Sequence, residues 1–536
     1  MFKQAQDYIL SAGDLSAHLT CAHRTNLDRA VADGAEKPPP VYKDAMLEAL
    51  MERGRRHEAA YVQRLRDQGL KVLSIDGVGV SDAAIAATLA AMSEGVDVIV
   101  QGALRHGSWT GRPDILQKIE RESALGSWSY QVKDTKLARE TTGATVLQLC
   151  LYSDLLSEVQ DLDPEFAFAV TPAEDGALEE AYRVAAYSAF YRRVRRALEA
   201  SLAKEPLATY PEPVGACDIC RWFQICDSKR RADDHPSFVA GLSRTHSAEL
   251  RDHDLTTLTA FATSPAPPPW KPKRGARETY AALQRQAKIQ LDGKQSGTPT
   301  YELIGYREGL GLARLPAPSK GDIFLDFEGD AYVGASGLEY LLGYVCEDET
   351  GAPVYRGLWA RNPVEEKQAF EAFIDFVLER QKRYPDLHVY HYAPYEPSAL
   401  KRLMGRYVTR EDELDALLRS ECFVDLLSVV RNGVRASVES YSIKKLEDFY
   451  GYKRKAALTD ANRALTRVQA ALELGVTLAD LAEDCEVVER YNEDDCRSTL
   501  ALRDWLETLR LELVAGGAPD TRPAPKSTEA SEKVTQ

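Results

Sequence analysis

The sequence has few of the features that mark membrane or secreted proteins. No apolar run in its 536 residues reaches the ~20 residues that a membrane-spanning helix needs. The first residues, MFKQAQDYILSAGDL, lack a signal-peptide pattern. The nine cysteines are odd in number and come without a secretion signal, which argues against a disulfide framework. We therefore expect a cytoplasmic protein.

An excess of basic residues is also missing. The chain has 67 Lys and Arg against 82 Asp and Glu, so its net charge is −15. This total does not indicate nucleic-acid binding, but it does not exclude it, because binding depends on a local basic groove. The hydrophobic fraction of 44% is ordinary for a globular protein. A chain of this length is expected to fold as two or three domains.

The stretch over residues 111–152 carries the first group of chemically informative side chains. Two apolar runs, GRPDILQKI and YQVKDTKLA, flank Gly126 and predict a strand hairpin. Asp134 and Lys136 share a face of a strand, and Asp114 on the preceding strand can lie opposite them. Two carboxylates with open positions suit Mg²⁺ or Mn²⁺. A lysine beside them can position a water or screen the charge that develops on a scissile phosphate.

Helices are predicted on both sides of this hairpin. After it, TTGATVLQLCLYSDLL places Gln148 and Tyr152 on one helix face. Before it, a helix over residues 44–69 carries His57 in the run GRRHEAAY. A further long helix is predicted over residues 178–203.

These elements resemble, in order, the PD-(D/E)xK nucleases of the RecB type. The matching positions are the first acid, the (D/E)xK triplet, the QxxxY helix and an upstream histidine, namely Asp114, Asp134-Thr135-Lys136, Gln148 with Tyr152, and His57. The resemblance implies a restriction-endonuclease-like α/β core. It also implies that His57 helps to bind the metal and that Gln148 and Tyr152 contact nucleic acid.

Three cysteines with the spacing C-x2-C-x5-C follow this region, at Cys217, Cys220 and Cys226. They need a fourth ligand for a tetrahedral sulfur site, and Cys21 is the best candidate. Spacing alone leaves zinc as an alternative. One N-terminal cysteine and a C-terminal trio around a RecB-type core resemble the iron–sulfur nucleases. That resemblance implies a [4Fe–4S] cluster that joins the two ends of the domain.

A second group of acids lies in the C-terminal half. DIFLDFEGD predicts a strand with Asp326 and Glu328 on one face. LHVYHYAPYE predicts a strand that leads to Glu396, and EVVERYNEDDCRSTLALRDWL predicts a helix with Tyr491 and Asp495 on one face.

This order of acids resembles the DEDD exonucleases with tyrosine, which have a ribonuclease H-like fold. The segment ESYSIKKLEDFYG also resembles the stretch between the last two motifs of that family. The resemblance implies that the acids hold two metal ions and that Tyr491 orients the attacking water. The chain departs from the family at Glu396, where Asp is usual, and at Tyr392, where Asn is common. Asp494 is a rival to Asp495, and Asp425 is a further candidate acid.

The order of domains resembles one family of predicted bacterial RecB-like nucleases. We expect a nuclease domain with the four-cysteine cluster over residues 1–236 and a helical, Pro-rich connector over residues 237–318. A DEDDy ribonuclease H-like domain is expected over residues 319–513 and a disordered tail over residues 514–536. From Trp270 to Lys294 the connector has seven Lys and Arg against two Asp and Glu. This fits either a nucleic-acid strap or a solvated helix.

The leading interpretation is a Mg²⁺- or Mn²⁺-dependent nuclease with two hydrolytic centres, acting in DNA repair, recombination or defence. DNA is expected before RNA as the substrate. Phosphodiester hydrolysis uses the same metals and acids on both, so an RNA-directed 3′–5′ exonuclease stays an alternative. A third possibility is a non-catalytic subunit that holds nucleic acid for a helicase partner.

Overall fold

The computed structural model describes residues 1–40, 45–138, 141–173, 176–205, 208–334, 336–524 and 526. The chain divides into two compact units, Met1–Arg230 and Arg231–Gln536. Both units mix helices and strands, as the sequence predicted. The predicted connector, residues 237–318, lies inside the second unit.

The first unit is built on a sheet with the strand order β10-β9-β8-β7-β4-β3. Its strands are β1 (Phe2–Gln4), β2 (Asp7–Ile9), β3 (Val72–Ser74), β4 (Val98–Val100), β5 (Leu104–His106), β6 (Trp109–Gly111), β7 (Ile115–Ile119), β8 (Ser129–Thr135), β9 (Phe166–Ala173) and β10 (Gly176–Arg183). Its α-helices are α1 (Ala12–Thr20), α2 (Ala22–Ala32), α3 (Ala45–Asp67), α4 (Asp82–Ser93), α5 (Gly143–Gln160), α6 (Val184–Leu202) and α7 (Phe223–Ala232).

The predicted hairpin is present as β7 and β8. The two strands pair antiparallel, with Ile115 opposite Lys133. This register brings Asp114, the residue before β7, next to Asp134 on β8. Behind the strands, Leu116, Val132 and Leu151 are fully buried, so the apolar side chains of the hairpin and of α5 form one core.

The prediction of a helix over residues 178–203 is wrong for residues 178–183. Residues up to Arg183 form β10, which pairs antiparallel along the whole length of β9. The helix α6 begins only at Val184. Main-chain pairing with β9 satisfies the backbone of this short polar segment, and this tertiary pairing prevails over its helical pattern.

The second unit contains a sheet with the strand order β14-β13-β12-β15-β16. Its strands are β11 (Tyr301–Leu303), β12 (Ile323–Asp330), β13 (Leu338–Glu347), β14 (Pro353–Trp359), β15 (Val389–His391), β16 (Phe423–Asp425) and β17 (Val434–Ala436). Its α-helices are α8 (Arg244–Asp252), α9 (Leu258–Thr263), α10 (Arg277–Ser296), α11 (Pro363–Arg383), α12 (Tyr395–Tyr407), α13 (Glu411–Arg419), α14 (Leu426–Gly433), α15 (Ile443–Tyr450), α16 (Leu458–Leu474) and α17 (Ala482–Ala515). Short 3₁₀ helices lie at Gly215–Ile219 in the first unit and at Pro236–Phe238, Gly311–Arg314 and Leu478–Leu481 in the second.

Three strands of this sheet, β12, β15 and β16, run parallel to one another. β12 pairs parallel with β15, and β15 pairs parallel with β16. Their carboxyl ends therefore meet at one edge of the sheet, where ligand sites of open α/β sheets lie. The long helix α17 packs against β12 and β13, so the acids of the strands and those of the helix can meet at this edge.

The predicted disordered tail, residues 514–536, is described only in part. α17 ends at Ala515, and Arg522 then pairs with Glu507. Residues 525 and 527–536 lie outside the described residues, so their disorder stays a prediction. Within the described part of the chain, no helix is both long enough and apolar enough to span a membrane.

Candidate functional site

Three carboxylates of the second unit converge on one point. Asp326 and Glu328 project from the same face of β12, and Asp495 projects from α17. One oxygen of each lies within 4.8 Å of the other two. Among the described residues, this is the one group of three potential metal ligands with such close spacing. An all-oxygen donor set of this kind suits Mg²⁺ or Mn²⁺.

The three carboxylates also repel one another in a buried place. Burial raises the pKa of Glu328 to about 8, and the charge of Asp495 contributes to the shift. Burial and the same neighbour raise the pKa of Asp326 well above its ordinary range. Buried like charges are stabilised when a cation binds between them, so the residues present fit a divalent metal.

A fourth carboxylate, that of Glu396, lies in the first turn of α12 and is 3% exposed. Burial raises its pKa to about 8, with contributions from Asp425 and Asp495. Its Oε2 atom accepts no hydrogen bond from any described residue, and the His391 ring nitrogen Nδ1 lies 3.6 Å away. Burial lowers the pKa of His391, which favours the neutral ring. A buried acceptor without a donor is costly, and a metal ion would satisfy it.

Asp425 holds the turn that leads to Glu396. Its Oδ1 accepts hydrogen bonds from the N–H groups of Ala393 (3.0 Å) and Leu427 (2.9 Å). The first bond fixes the chain between β15 and α12, and the second caps α14. Asp425 therefore positions the chain around Glu396.

The two neighbouring acids of α17 have different surroundings. Asp494 is fully buried, and its carboxylate accepts hydrogen bonds from the Tyr452 hydroxyl (2.8 Å) and from the N–H groups of Lys455 and Ala456 (both 2.9 Å). It anchors the loop between α15 and α16. Asp495, one residue later, belongs to the three-carboxylate group.

Two cations next to Asp495 were not identified from the sequence. Lys444 donates a hydrogen bond to the Tyr491 hydroxyl, and its Nζ lies 3.8 Å from Asp495 Oδ2. Arg454 donates to Asp495 Oδ1 at 2.6 Å and to Glu447 Oε1 at 2.6 Å. Lys444 belongs to the segment ESYSIKKLEDFYG, so the signal was present, but its partner lies 47 residues further on.

An amide and a glycine position Asp326. Asn492 is fully buried and donates to Asp326 Oδ2 at 2.8 Å, while its own Oδ1 accepts from the Tyr355 hydroxyl at 2.9 Å. Gly343 lies opposite Asp326 on β13. A Cβ atom there would lie 1.5 Å from Asn492 Oδ1, so only glycine leaves room for this amide.

In the first unit, Asp114, Asp134 and Lys136 come together as the hairpin predicted. Asp134 is 1% exposed and accepts a hydrogen bond from Lys136. Burial raises the pKa of Asp134 to about 7, and the charge of Asp114 adds to the shift. Asp114 Oδ2 accepts from the N–H (2.8 Å) and the hydroxyl (2.7 Å) of Thr135.

The predicted QxxxY pair lies against these acids. Gln148 donates to the Tyr152 hydroxyl at 3.0 Å, and burial with the charges of Asp134 and Asp114 raises the pKa of Tyr152. A Cβ at Gly111 would lie 2.7 Å from the Tyr152 ring, so glycine is needed for this close approach.

On α3, the residue that faces Asp114 is Glu58, next to the predicted His57. The Gln101 amide donates to Glu58 Oε1 at 2.8 Å and to Asp114 Oδ1 at 3.0 Å. Burial raises the pKa of Glu58, and the charge of Asp114 contributes. His57 Nε2 instead lies 3.0 Å from the carbonyl oxygen of Val170. The metal role of His57 stays a prediction, and Glu58 is an acid that sequence reasoning missed.

The four predicted cysteines, Cys21, Cys217, Cys220 and Cys226, line one cavity of about 150 Å³. The N–H of Arg24 donates to Cys21 Sγ (3.4 Å), and the N–H of Val214 donates to Cys217 Sγ (3.3 Å). Burial raises the pKa of Cys226 to about 11, and the neighbouring Cys220 contributes. No three of the four sulfurs lie mutually within 4.8 Å.

A buried aspartate joins α2 to the cysteine segment. Asp28 Oδ1 accepts from the Trp222 indole N–H at 2.7 Å and from Arg221 at 2.5 Å. Nearby, His23 and Asn26 of α2 both bond the Thr209 hydroxyl, at 2.8 and 3.0 Å. These bonds, which we call the Asp28 clasp, hold the ends of the first unit together through protein groups alone.

Comparison with known families adds one match. Residues 323–507 match RNase_H_2, a family model of the RNase_H superfamily. The matched range begins at β12 and includes the three-carboxylate group, Glu396 and Tyr491. The second unit therefore contains a ribonuclease H-like domain of a superfamily associated with nucleases. No curated protein matches the chain.

Proposed function

We propose that the second unit is a metal-dependent nuclease that trims nucleic acid from the 3′ end. The observation that carries this proposal is the three-carboxylate group beside the buried, unpartnered Oε2 of Glu396. Three acids within 4.8 Å of one another suit one divalent ion, and Glu396 is suited to contact a second. The family match over residues 323–507 supports the same assignment.

The residues of this chain would divide the work as follows. Bound Mg²⁺ or Mn²⁺ would supply Lewis-acid stabilisation of the scissile phosphate and lower the pKa of a water. Asp326, Glu328, Glu396 and Asp495 would hold the ions, and Asn492 would orient Asp326. The Tyr491 hydroxyl would orient the attacking water. Lys444, bonded to that hydroxyl, would place a positive charge where negative charge develops.

The first unit is proposed as a second hydrolytic centre with a PD-(D/E)xK core. Asp114 and Asp134 lie together, and Lys136 contacts Asp134. Glu58 adds a third acid through the Gln101 bridge. Gln148 and Tyr152 would contact the nucleic acid beside these acids, as the resemblance to RecB-type nucleases implies.

The cysteine cavity is proposed to hold a [4Fe–4S] cluster. All four thiols line it, and two of them already accept backbone N–H bonds, which suit anionic sulfur. The preference for the cluster over a tetrahedral zinc site rests on the resemblance to the iron–sulfur nucleases. The group would have a structural role, since hydrolysis needs no electron transfer.

The proposed substrate is DNA, in repair, recombination or defence. The test is cleavage of end-labelled single- and double-stranded DNA and RNA with Mg²⁺ or Mn²⁺. Asp326→Asn and Asp495→Asn should abolish 3′-end trimming only, whereas Asp114→Asn and Lys136→Ala should abolish a separate activity.

Matched controls are Asp504→Asn, on the same helix as Asp495 but exposed, and Asp97→Asn, paired with Lys118 in the first unit. Both controls should keep both activities. If the double variant with Asp326→Asn and Asp495→Asn trims at the wild-type rate, catalysis by the second unit is refuted. Complete inactivity of the wild type on every substrate would favour a role in binding nucleic acid without cleaving it.

A further inference from the structure

The connector helix α10 contacts β17 through a buried polar network. The Gln286 amide on α10 donates to the carbonyl oxygen of Ala436 at 2.9 Å. The Tyr441 hydroxyl donates to Gln286 Oε1 at 2.9 Å and accepts from the N–H of Ala436 at 3.1 Å. Arg285 precedes Gln286 and Arg435 precedes Ala436, and the two arginines lie close enough for their charges to interact.

Arginines gather around this network without enough acids to balance them. Arg435 pairs with Glu302 on β11. Burial lowers the pKa of Arg435, and the charge of Arg285 lowers it further, as expected for two adjacent cations. Arg431 lies at the end of α14, and its charge acts on Tyr441 together with that of Arg435. Both Arg285 and Arg431 are exposed, and no acidic side chain of the described residues pairs with either of them.

A hydrogen bond connects the network beside this cluster to the chain segment that leads to Glu396. The Tyr392 hydroxyl donates to the carbonyl oxygen of Tyr441 at 2.5 Å. Tyr392 follows His391, the neighbour of Glu396, and Tyr441 lies three residues before Lys444. Like charges that the fold keeps together on an exposed surface are typical of anion-binding sites. An arginine fork is suited to a phosphate oxygen pair.

We propose that Arg285 and Arg431 bind phosphates of the substrate strand as it leaves the carboxylate site of the second unit. The proposal rests on the proposed nuclease function and extends it, because it makes α10 part of the substrate-binding surface. The ligand is the phosphodiester backbone of a single strand. These contacts carry no sequence information, since phosphates are the same at every base.

The test compares variants in a parent that binds but does not cleave, the full chain with Asp114→Asn and Asp326→Asn. Binding of a fluorescently labelled single-stranded DNA is measured by anisotropy over a series of salt concentrations. Each lost phosphate contact reduces the salt slope by about 0.7 for single strands, so Arg285→Ala with Arg431→Ala should reduce it by about 1.4. A salt slope smaller by about 1.4 corresponds to binding about 25-fold weaker than that of the parent at about 0.1 M salt.

A second measurement isolates the second unit. In the Asp114→Asn parent, which keeps the trimming site, Arg285→Ala with Arg431→Ala should raise KM about 25-fold and leave kcat unchanged, because the contacts lie away from the reacting bond. The Arg285→Lys, Arg431→Lys variant should keep most of the affinity. The matched control is Lys382→Ala with Arg383→Ala, which removes two exposed charges from the end of α11.

The outcomes separate the two proposals. Equal affinity, salt slope and KM in the arginine variant and its parent would overturn the phosphate site and leave the nuclease function standing. Equal loss in the α11 control would also overturn it, because the effect would then be one of total charge. If the binding parent does not bind nucleic acid and the Asp114→Asn parent does not trim it, the nuclease function is overturned, and the phosphate site with it.

Discussion

Replacing Glu328 by glutamine should stabilise the metal-free protein, and more so at high pH. Glu328 has a pKa of about 8 in the fold, against an ordinary value of 4.5. The folded state therefore holds the proton longer than the unfolded chain does. Below the ordinary value the carboxyl group has no such cost, and stability is lost as the pH rises towards about 8. A glutamine does not ionise, so Glu328→Gln removes this loss.

The size of the effect follows from the shift. Each pH unit between the two pKa values costs about 1.4 kcal/mol. Near pH 8 the carboxyl group of the folded state begins to ionise as well, which reduces this cost. Between about pH 6 and about pH 8 the wild type therefore loses about 2 kcal/mol of unfolding free energy. The stability difference between Glu328→Gln and the wild type should widen by this amount, a factor of about 30 in the opening equilibrium.

Hydrogen–deuterium exchange of the amides in β12 and β13 measures this difference locally. Comparing variant and wild type at the same pH cancels the pH dependence of the chemical exchange step. Glu379→Gln, an exposed acid of α11, is the control and should change nothing. Mg²⁺ or Mn²⁺ should slow exchange in the wild type, since a metal stabilises the ionised site. A variant effect of equal size at both pH values would refute the reasoning.

Three further variants test other side chains. Lys444→Met should lower kcat of trimming about 100-fold, as the loss of one electrostatic contact to a transition state typically does, while Lys444→Arg should recover part of it in steady-state kinetics. Glu58→Gln is made in a background that carries Asp326→Asn and Asp495→Asn. There it should weaken Mn²⁺ binding to the first unit, measured by calorimetry, with little change in melting temperature. Unchanged affinity would exclude Glu58 as a ligand. Asp494→Asn should destabilise by about 2 kcal/mol in thermal denaturation, because the buried carboxylate accepts three hydrogen bonds. A fully stable Asp494→Asn protein would argue against its anchoring role.

Local spacing predicted the features that depend on strand and helix periodicity. The hairpin and its convergent Asp114 and Asp134 followed from alternation on two adjacent strands. Asp326 and Glu328 followed in the same way, because residues two apart on a strand share a face. The family match over residues 323–507 agrees with the expected ribonuclease H-like domain.

Helix phase could not be predicted with the same accuracy. Consecutive residues on a helix point about 100° apart, so His57 and Glu58 face different directions. The resemblance to RecB-type nucleases implied a metal role for His57, which stays a prediction, whereas Gln101 connects the neighbouring Glu58 to Asp114. The rivalry between Asp494 and Asp495 is of the same kind. Only the position of the loop carrying Tyr452 shows which acid serves the fold and which faces the other carboxylates.

The Asp28 clasp changes what the cysteines are expected to do for stability. Cys21 and Cys217 close a loop of 217 − 21 = 196 residues, and a link across so long a loop gains about 5 kcal/mol in the chain-entropy picture. The bonds from Asp28 to Trp222 and Arg221 close almost the same loop without any metal. Once the clasp has formed, a metal group needs to order only the short segments that connect the cysteines to it. Its additional stabilisation through loop closure is therefore small.

We accordingly expect Cys220→Ala to lose the bound metal while the first unit stays folded. The Asp28→Asn, Cys220→Ala double variant should unfold the first unit, by more than the sum of the two single effects, because each link compensates for the loss of the other. Iron, sulfide and zinc analysis reports the metal, and limited proteolysis with thermal unfolding reports the fold. Additive effects in this cycle would mean that the clasp and the metal do not share the same loop. Unfolding by Cys220→Ala alone would show that the clasp cannot hold the ends together by itself.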